Sequence, residues 1–136
     1  MSFLLELDVP DATWEDAERL ERATSPAGYL PVRAHPRRRW LRPARPRLIL
    51  HESRDGVDVL SDNADWSEKA FRLDERGREL LARTVALLAE NLRPGWGLQA
   101  YWDGDDCQEE RNVSRDELVK LVRASSLDRS TRYRVR

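Results

Sequence analysis

The sequence predicts an α+β fold in which a mainly antiparallel sheet has two or three helices packed on one face. Stretches in which apolar and polar residues alternate with period two are mixed along the chain with stretches of helical periodicity. This order is typical of helices placed on a sheet rather than of a repeated strand–helix unit. The chain has 136 residues, the length of one ordinary domain, and we expect a single domain over residues 1–136.

The first third of the chain predicts a strand, a capped helix and an irregular connection. Residues 3–9 alternate in polarity and predict a half-buried strand with its odd-numbered positions inward. Thr13 starts a helix, because Asp16 stands three residues later and completes a capping box. Four prolines in residues 29–47 predict an extended or irregular segment, since proline fixes φ and lacks an N–H donor.

The middle of the chain predicts a hairpin and the strongest helix. Residues 48–53 and 57–61 flank an Asp-Gly pair, a frequent turn between two strands. Residues 70–73 predict a short strand, and Asp74 caps the helix that follows. A wide apolar stripe runs along this helix and predicts the centre of the core. It consists of Leu80, Leu81, Thr84, Val85, Leu87, Leu88 and Leu92.

The last third predicts a hairpin with an acidic tip, a helix and a final strand. Residues 96–102 form one strand of the hairpin, and residues 107–113 return beside it after a turn. Ser114 and Glu117 predict a capping box at the start of the last helix, and residues 131–135 alternate as a strand. The expected buried positions are Leu80, Leu81, Val85, Leu88, Leu98 and Val119.

A net charge of −1 hides strong segregation along the chain. Residues 1–22, 52–68 and 102–117 each carry five more acids than bases. Residues 33–47 carry seven arginines and no acid, and residues 123–136 are again basic. Because clustered like charge generates local fields that select partners, surface chemistry is the most informative functional feature of the sequence.

Composition excludes several classes of protein. A single cysteine rules out a disulfide framework and a CxxC zinc site. No apolar run approaches the ~18 residues that a membrane helix needs. We therefore expect a soluble cytoplasmic domain with no membrane contact and no cofactor.

No pattern in the sequence predicts catalysis or metal binding. Cys107 and His51 could form a thiol site, but a buried or spare cysteine fits better, because the neighbouring acids would raise the pKa of the thiol. Asp103, Asp105 and Asp106 suggest calcium, yet Cys107 occupies a position where an EF-hand loop needs a ligand. A turn is the better interpretation. We expect no enzyme, no catalytic residue and no metal site.

The basic segment, residues 33–47, has three interpretations, one of which is a contact with a protein or a lipid. Arginine binds phosphate bidentately and Trp40 could stack on a base, so the segment could belong to a nucleic-acid-binding accessory protein. The favoured interpretation is an arginine-rich loop that neutralises the acidic clusters of the same molecule.

An acidic protrusion with aromatic residues predicts a protein-binding surface. Five carboxylates occur within residues 103–110, next to Tyr101. A second acidic patch surrounds Trp66. Exposed aromatic residues are common interface anchors, and complementary charge raises the rate of association. The candidate binding residues, expected to contact a basic protein partner, are Tyr101, Asp103, Asp105, Asp106, Glu109, Glu110, Asp62, Asp65 and Trp66.

Three short motifs resemble immunity proteins of bacterial polymorphic toxin systems. They are Gly95-Trp96-Gly97, Ala100-Tyr101-Trp102-Asp103-Gly104 and Ser130-Thr131-Arg132-Tyr133-Arg134-Val135, and the resemblance covers about residues 70–136. It implies a non-enzymatic cytoplasmic inhibitor that binds a cognate toxin domain tightly and blocks its active site. Such families vary most at the interface, so the resemblance assigns no binding residue.

Overall fold

The computed structural model of the chain describes residues 2–35, 44–54, 70–71, 75–102, 109–124, 126–128 and 130–136. Its strands and helices alternate irregularly along the chain. In order they are β1 (Ser2–Asp8), α1 (Trp14–Ala23), β2 (Arg33–His35), β3 (Arg47–Arg54), β4 (Ala70–Phe71), α2 (Glu75–Ala89), β5 (Gly97–Trp102), β6 (Glu109–Val113), α3 (Arg115–Arg123), β7 (Leu127–Asp128) and β8 (Thr131–Val135).

Six of the described strands form one sheet in the order β2-β3-β1-β5-β8-β6. Neighbouring strands are antiparallel, except that β6 runs parallel to β8. The short strands β4 and β7 pair separately. The predicted α+β fold with a mainly antiparallel sheet is confirmed.

The predicted hairpin of residues 96–113 is wrong, because β8 lies between β5 and β6. The chain does reverse direction after β5, as the turn residues indicate, but it leaves one strand position open for β8. Thr131, Tyr133 and Val135 of β8 are buried. This strand therefore gains more by entering the sheet between two neighbours than it would at an edge. A turn sequence specifies the reversal and not the position to which the chain returns.

Glycine allows β5 and β8 to approach closely. A Cβ atom added at Gly97 would lie 1.6 Å from the carbonyl oxygen of Tyr133. That distance is far inside van der Waals contact, so no other residue type fits at this position without moving β8.

Two of the three predicted capping residues, Thr13 and Ser114, are found at helix starts, and the third, Asp74, lies outside the described residues. The Thr13 hydroxyl accepts from the Asp16 N–H at 3.1 Å, and the Asp16 carboxylate accepts from the Thr13 N–H at 2.9 Å. Ser114 accepts from the Glu117 N–H at 3.1 Å. These bonds satisfy amide donors that have no partner within the helix.

The core joins one face of the sheet to the apolar stripes of all three helices. Leu81, Val85, Leu88 and Leu98 are buried as predicted. Leu80 and Val119 are only partly buried, at the margin of the same cluster. Leu5 and Leu7 from β1 and Val9 just after it also belong to the cluster, as the alternation of residues 3–9 indicates.

Several predicted segments are only partly described. The strand β2 lies inside the segment that was predicted to be irregular, where it pairs with β3, and residues 36–43 are outside the described part of the chain. The predicted strand of residues 57–61 is also outside it. Of the strand predicted at residues 70–73, the structure describes β4.

Candidate functional site

The sheet face opposite the core carries mostly polar side chains, because successive residues of a strand point to opposite faces. Strand registers place even-numbered residues of β1 beside odd-numbered residues of β5 and even-numbered residues of β8. We call this surface the polar face. Its charged and polar members in the described residues are Arg33, His35, Arg47, Glu6, Asp8, Gln99, Tyr101, Arg132, Arg134, Glu110 and Asn112.

A buried carboxylate of β1 organises one half of the polar face. Glu6 is only 6% exposed. It accepts from Arg47 Nε at 3.0 Å and also from the hydroxyl of Tyr101. Arg47 Nη2 in turn donates to the Tyr101 hydroxyl at 2.7 Å. The three side chains thus join β1 to both of its neighbours, β3 and β5.

The electrostatics of this triad favour the protonated forms of Arg47 and Tyr101. The hydrogen bond to Glu6 is the largest cause that holds the pKa of Arg47 above its ordinary value. Burial, followed by the bond to Glu6, raises the pKa of Tyr101. Tyr101 therefore stays a neutral phenol with its hydroxyl engaged inside the molecule, rather than presenting it to a partner.

A second carboxylate, Asp8, organises the other half. It is 9% exposed, and burial raises its pKa, although Arg134 acts in the opposite direction. Arg134 Nη1 lies 3.3 Å from Asp8 Oδ2. This arginine also donates to Gly95 O at 2.9 Å and to Glu110 Oε1 at 2.7 Å. Asp8 Oδ2 accepts no hydrogen bond from the described residues, so its contact with Arg134 is mainly Coulombic.

Gly97 makes this second connection possible. In the sheet, Asp8 is paired with Gly97, and Gly97 is paired with Arg134. Because glycine has no side chain, Arg134 reaches across β5 to a carboxylate two strands away. Glu110 on β6 extends the same connection to the edge of the sheet.

A small cavity adjoins both carboxylates. Its volume is about 160 Å³, and its lining includes Glu6, Asp8, Arg45 and Gln99. A desolvated carboxylate in a cavity is a candidate acid or base. However, pockets that hold small-molecule ligands measure roughly 300–1,000 Å³, and this one is clearly smaller. We interpret the carboxylates as groups that bind neighbouring strands together.

The structure describes three of the nine predicted binding residues. Glu109 and Glu110 lie exposed on β6, the last strand of the sheet; we call this pair the acidic edge. Tyr101 lies on the polar face, in the Glu6 network. The remaining predicted binding residues fall outside the described residues: Asp62, Asp65, Trp66, Asp103, Asp105 and Asp106.

The basic segment is partly engaged within the molecule. Arg47 binds Glu6, and the guanidinium of Arg45 donates to the carbonyl of Pro10. Arg33 is exposed on β2. We call these three arginines the basic side; Trp40 and the other arginines of the segment lie outside the described part. The Glu6–Arg47 pair is the kind of internal neutralisation that the sequence favoured.

Sequence reasoning missed Glu6, Asp8 and Arg134 as members of a network. The alternation of polar and apolar residues along β1 and β8 does indicate that all three side chains lie on the face opposite the core. Alternation alone predicts solvent on that face. The burial of Glu6 and Asp8 follows from the long side chains on neighbouring strands, which only the strand order brings together.

Comparison with known proteins adds no relative. No protein-family model matches the chain, and neither a curated protein nor a solved structure matches it. Within the described residues, no helix is both long and apolar enough to cross a bilayer. The same residues contain no group of three side chains suited to hold a metal ion.

Proposed function

We propose that this protein is a non-enzymatic inhibitor that binds a basic protein partner through the acidic edge. Its role would be that of a cytoplasmic immunity protein, which neutralises a cognate bacterial toxin by direct binding. The observation that carries the proposal is the exposure of Glu109 and Glu110 on a strand at the end of the sheet. Three further carboxylates precede them within residues 103–108.

The acidic edge is held by regular structure, which favours specific binding. All five residues of β6 are paired with β8, and Val113 anchors the strand in the core. A surface that is ordered before binding loses less conformational entropy in the complex. The charges of Glu109 and Glu110 therefore stand at defined positions from which they can select a complementary surface.

The carboxylates on the polar face support a binding role over a catalytic one. Glu6 is bonded to Arg47 and Tyr101, and the adjoining cavity of about 160 Å³ is too small for an ordinary substrate. Glu6 joins β1 to β3 and β5, and Asp8 is connected through Arg134 to Glu110 on the acidic edge. The active chemistry, in this proposal, belongs to the partner.

A charge-matched binding experiment tests the proposal. The probe is the toxin-like protein encoded by the neighbouring gene, titrated against the wild type and against the double variant Glu109→Gln/Glu110→Gln. The control, Glu75→Gln/Glu90→Gln, removes two exposed charges on and just after α2. We expect association to slow by about tenfold in the first variant at low salt, with little change in the control. The difference should shrink in 1 M salt, where the Debye length is ~3 Å.

Two results would contradict the proposal. One is unchanged association of the Glu109→Gln/Glu110→Gln variant. The other is loss of binding only in a triple variant in which Arg37, Arg38 and Arg39 are replaced by alanine. In the second case, binding of the wild type to DNA or RNA with a steep salt dependence would establish the nucleic-acid alternative.

A further inference from the structure

Within the described residues, no strand pairs with the outer side of β6, the side that faces away from β8. The Glu109 N–H donates to the carbonyl of Ser130 at 3.5 Å, and the Val113 carbonyl accepts from the Arg136 N–H at 3.0 Å. In a parallel ladder, alternate residues of a strand bond to the same neighbour. Glu109, Arg111 and Val113 therefore face β8, and the main-chain groups of Glu110 and Asn112 face away from it.

This outer side is accessible. The strand β6 ends the sheet order, and the four residues from Glu109 to Asn112 are exposed. An edge with free N–H and C=O groups is a template on which an extended segment can add as a further strand. On the outer side the Asn112 carbonyl also accepts from Arg136 Nη2 at 3.1 Å. The N–H groups of Glu110 and Asn112 and the carbonyl of Glu110 are thus the principal pairing groups.

Charge argues against a second copy of the chain as the added strand. In a continuous two-fold sheet, residues paired across the edges must point to the same face. The register that pairs all five residues of β6 places Arg111 opposite Arg111 of the other copy. A shift of the pairing toward the start of the strand places Glu110 opposite Glu110. A shift toward its end places Asn112 opposite Asn112, whose carbonyl already accepts from Arg136. Like charges directly opposite each other destabilise a strand pair.

We propose that β6 binds an extended basic segment of the partner protein by strand addition. This inference rests on the proposed function and specifies how the partner is bound. Glu109 and Glu110 point to opposite faces of the sheet, so the added segment carries lysine or arginine at consecutive positions. Main-chain bonds to Glu110 and Asn112 provide the alignment, and the two carboxylates select the charge.

Charged edge strands also serve to prevent aggregation, and amide exchange separates the two roles. The probe is an acetylated eight-residue peptide in which Thr-Lys-Lys-Val occurs twice, and the exchange of single amides is measured by NMR. At saturation we expect exchange at Glu110 and Asn112 to slow by about tenfold or more. The Arg111 amide, which already faces β8, should not change. Peptide binding without slower exchange at Glu110 and Asn112, or no peptide binding, would overturn the inference.

A backbone variant tests the same contact with the full partner. Asn112→Pro removes an outward N–H and leaves the bonds to β8 in place, and proline is tolerated at sheet edges. The control, Asn112→Ala, changes the side chain but keeps the N–H. We expect equal thermal unfolding midpoints and at least a tenfold loss of affinity for the neighbour-encoded protein in the proline variant alone, about 1.4 kcal/mol.

The outcomes separate the two proposals. If the partner binds both Asn112 variants equally and the exchange of Glu110 and Asn112 stays fast in the complex, strand addition is wrong and the proposed function stands. If the partner does not bind the wild type, the proposed function is wrong, while the peptide experiment still decides strand addition. Should Asn112→Pro fail to fold, amide exchange in the wild type gives the answer.

Discussion

On the basic side of the sheet, Arg45 and Arg47 are bonded to groups of the same molecule, whereas on the acidic edge Glu109 is exposed and Glu110 makes an ion pair at the surface. Arg47 is half exposed, yet its guanidinium is bonded to buried Glu6 and to Tyr101. Glu110 is 54% exposed and has one ion pair, with Arg134, in the described residues. Both regions look alike in the sequence, as runs of like charge.

The difference shows that a run of charge has no functional meaning until its counter-charges are located. Arg47 lies one strand away from the buried carboxylate of Glu6, so its charge is paired within the fold. Glu109 and Glu110 lie where the sheet ends, and beyond them is no further strand of the described structure. The basic side is expected to contribute to stability and the acidic edge to binding.

The largest expected effect on stability is at Gly97, where β5 and β8 lie in close contact between the basic side and the acidic edge. In Gly97→Ala the new methyl group would collide with the Tyr133 carbonyl, so β8 and β6 must move away from β5. We expect the free energy of unfolding to fall by more than about 4 kcal/mol, measured by urea denaturation.

Gly95→Ala is the matched control for Gly97→Ala. Gly95 has a φ of +89° and nothing within 4 Å of an added Cβ, so only the left-handed backbone is penalised, by about 1–2 kcal/mol. Equal losses in the two variants would show that β5 and β8 are not in such close contact.

The next effect concerns the basic side. Glu6→Gln keeps the shape of the side chain but removes the charge that Arg47 and Tyr101 both bind. We expect a loss of about 1–3 kcal/mol in the free energy of unfolding, because two donors lose a buried, charged acceptor. Tyr101→Phe, which removes a single donor, should cost less. An unchanged free energy of unfolding in Glu6→Gln would mean that the basic side is not held by this network.

The direction in which the free energy of unfolding changes with pH tests the burial of Asp8. Because burial raises the pKa of Asp8, the native state binds this proton more tightly than the unfolded chain does. The stability due to neutral Asp8 is present below the unfolded pKa and is lost as the pH rises through the folded pKa. Asp8→Asn stays neutral, so its unfolding free energy should gain on that of the wild type as the pH rises from below the ordinary pKa of an aspartate.

Asp16→Asn is the control, because its stability relative to the wild type should change with pH in the opposite direction. Hydrogen bonding from the Thr13 N–H lowers the pKa of Asp16. The stability due to ionised Asp16 is therefore present above the unfolded pKa and is lost as the pH falls through the folded pKa. The deficit of Asp16→Asn should shrink toward acid pH. If both variants showed the same trend, the burial of Asp8 would not dominate its ionisation.

The smallest expected effect on stability is at the acidic edge. Glu110→Gln loses a 2.7 Å contact with Arg134, but the carboxylate is mostly in water. Exposed ion pairs contribute about 0–1 kcal/mol, and Arg134 keeps Asp8 as a neighbour. We expect urea midpoints close to those of the wild type. A loss of unfolding free energy as large as that of Glu6→Gln would mean that the acidic edge contributes to stability as much as the basic side does.

Much of the secondary structure was predictable from local signals. The capping residues Thr13 and Ser114 start helices, and the final strand has the predicted bounds, Thr131–Val135. Of the candidate site, the exposure of Glu109 and Glu110 was predictable, since charged residues at the start of a short strand have no apolar partner. The engagement of Tyr101 was not predictable, because its partners Glu6 and Arg47 are distant in sequence.

The sequence by itself determined which residues turn inward, where helices begin and where charge accumulates. These features depend on backbone geometry and on side chains within a few residues of each other. Only the tertiary structure decided that β8 separates β5 from β6, that Arg134 crosses Gly97 to reach Asp8, and that β6 is the last of the described strands in the sheet. The physical reason is that strand order depends on the packing of the whole core, which alternation along one strand does not encode.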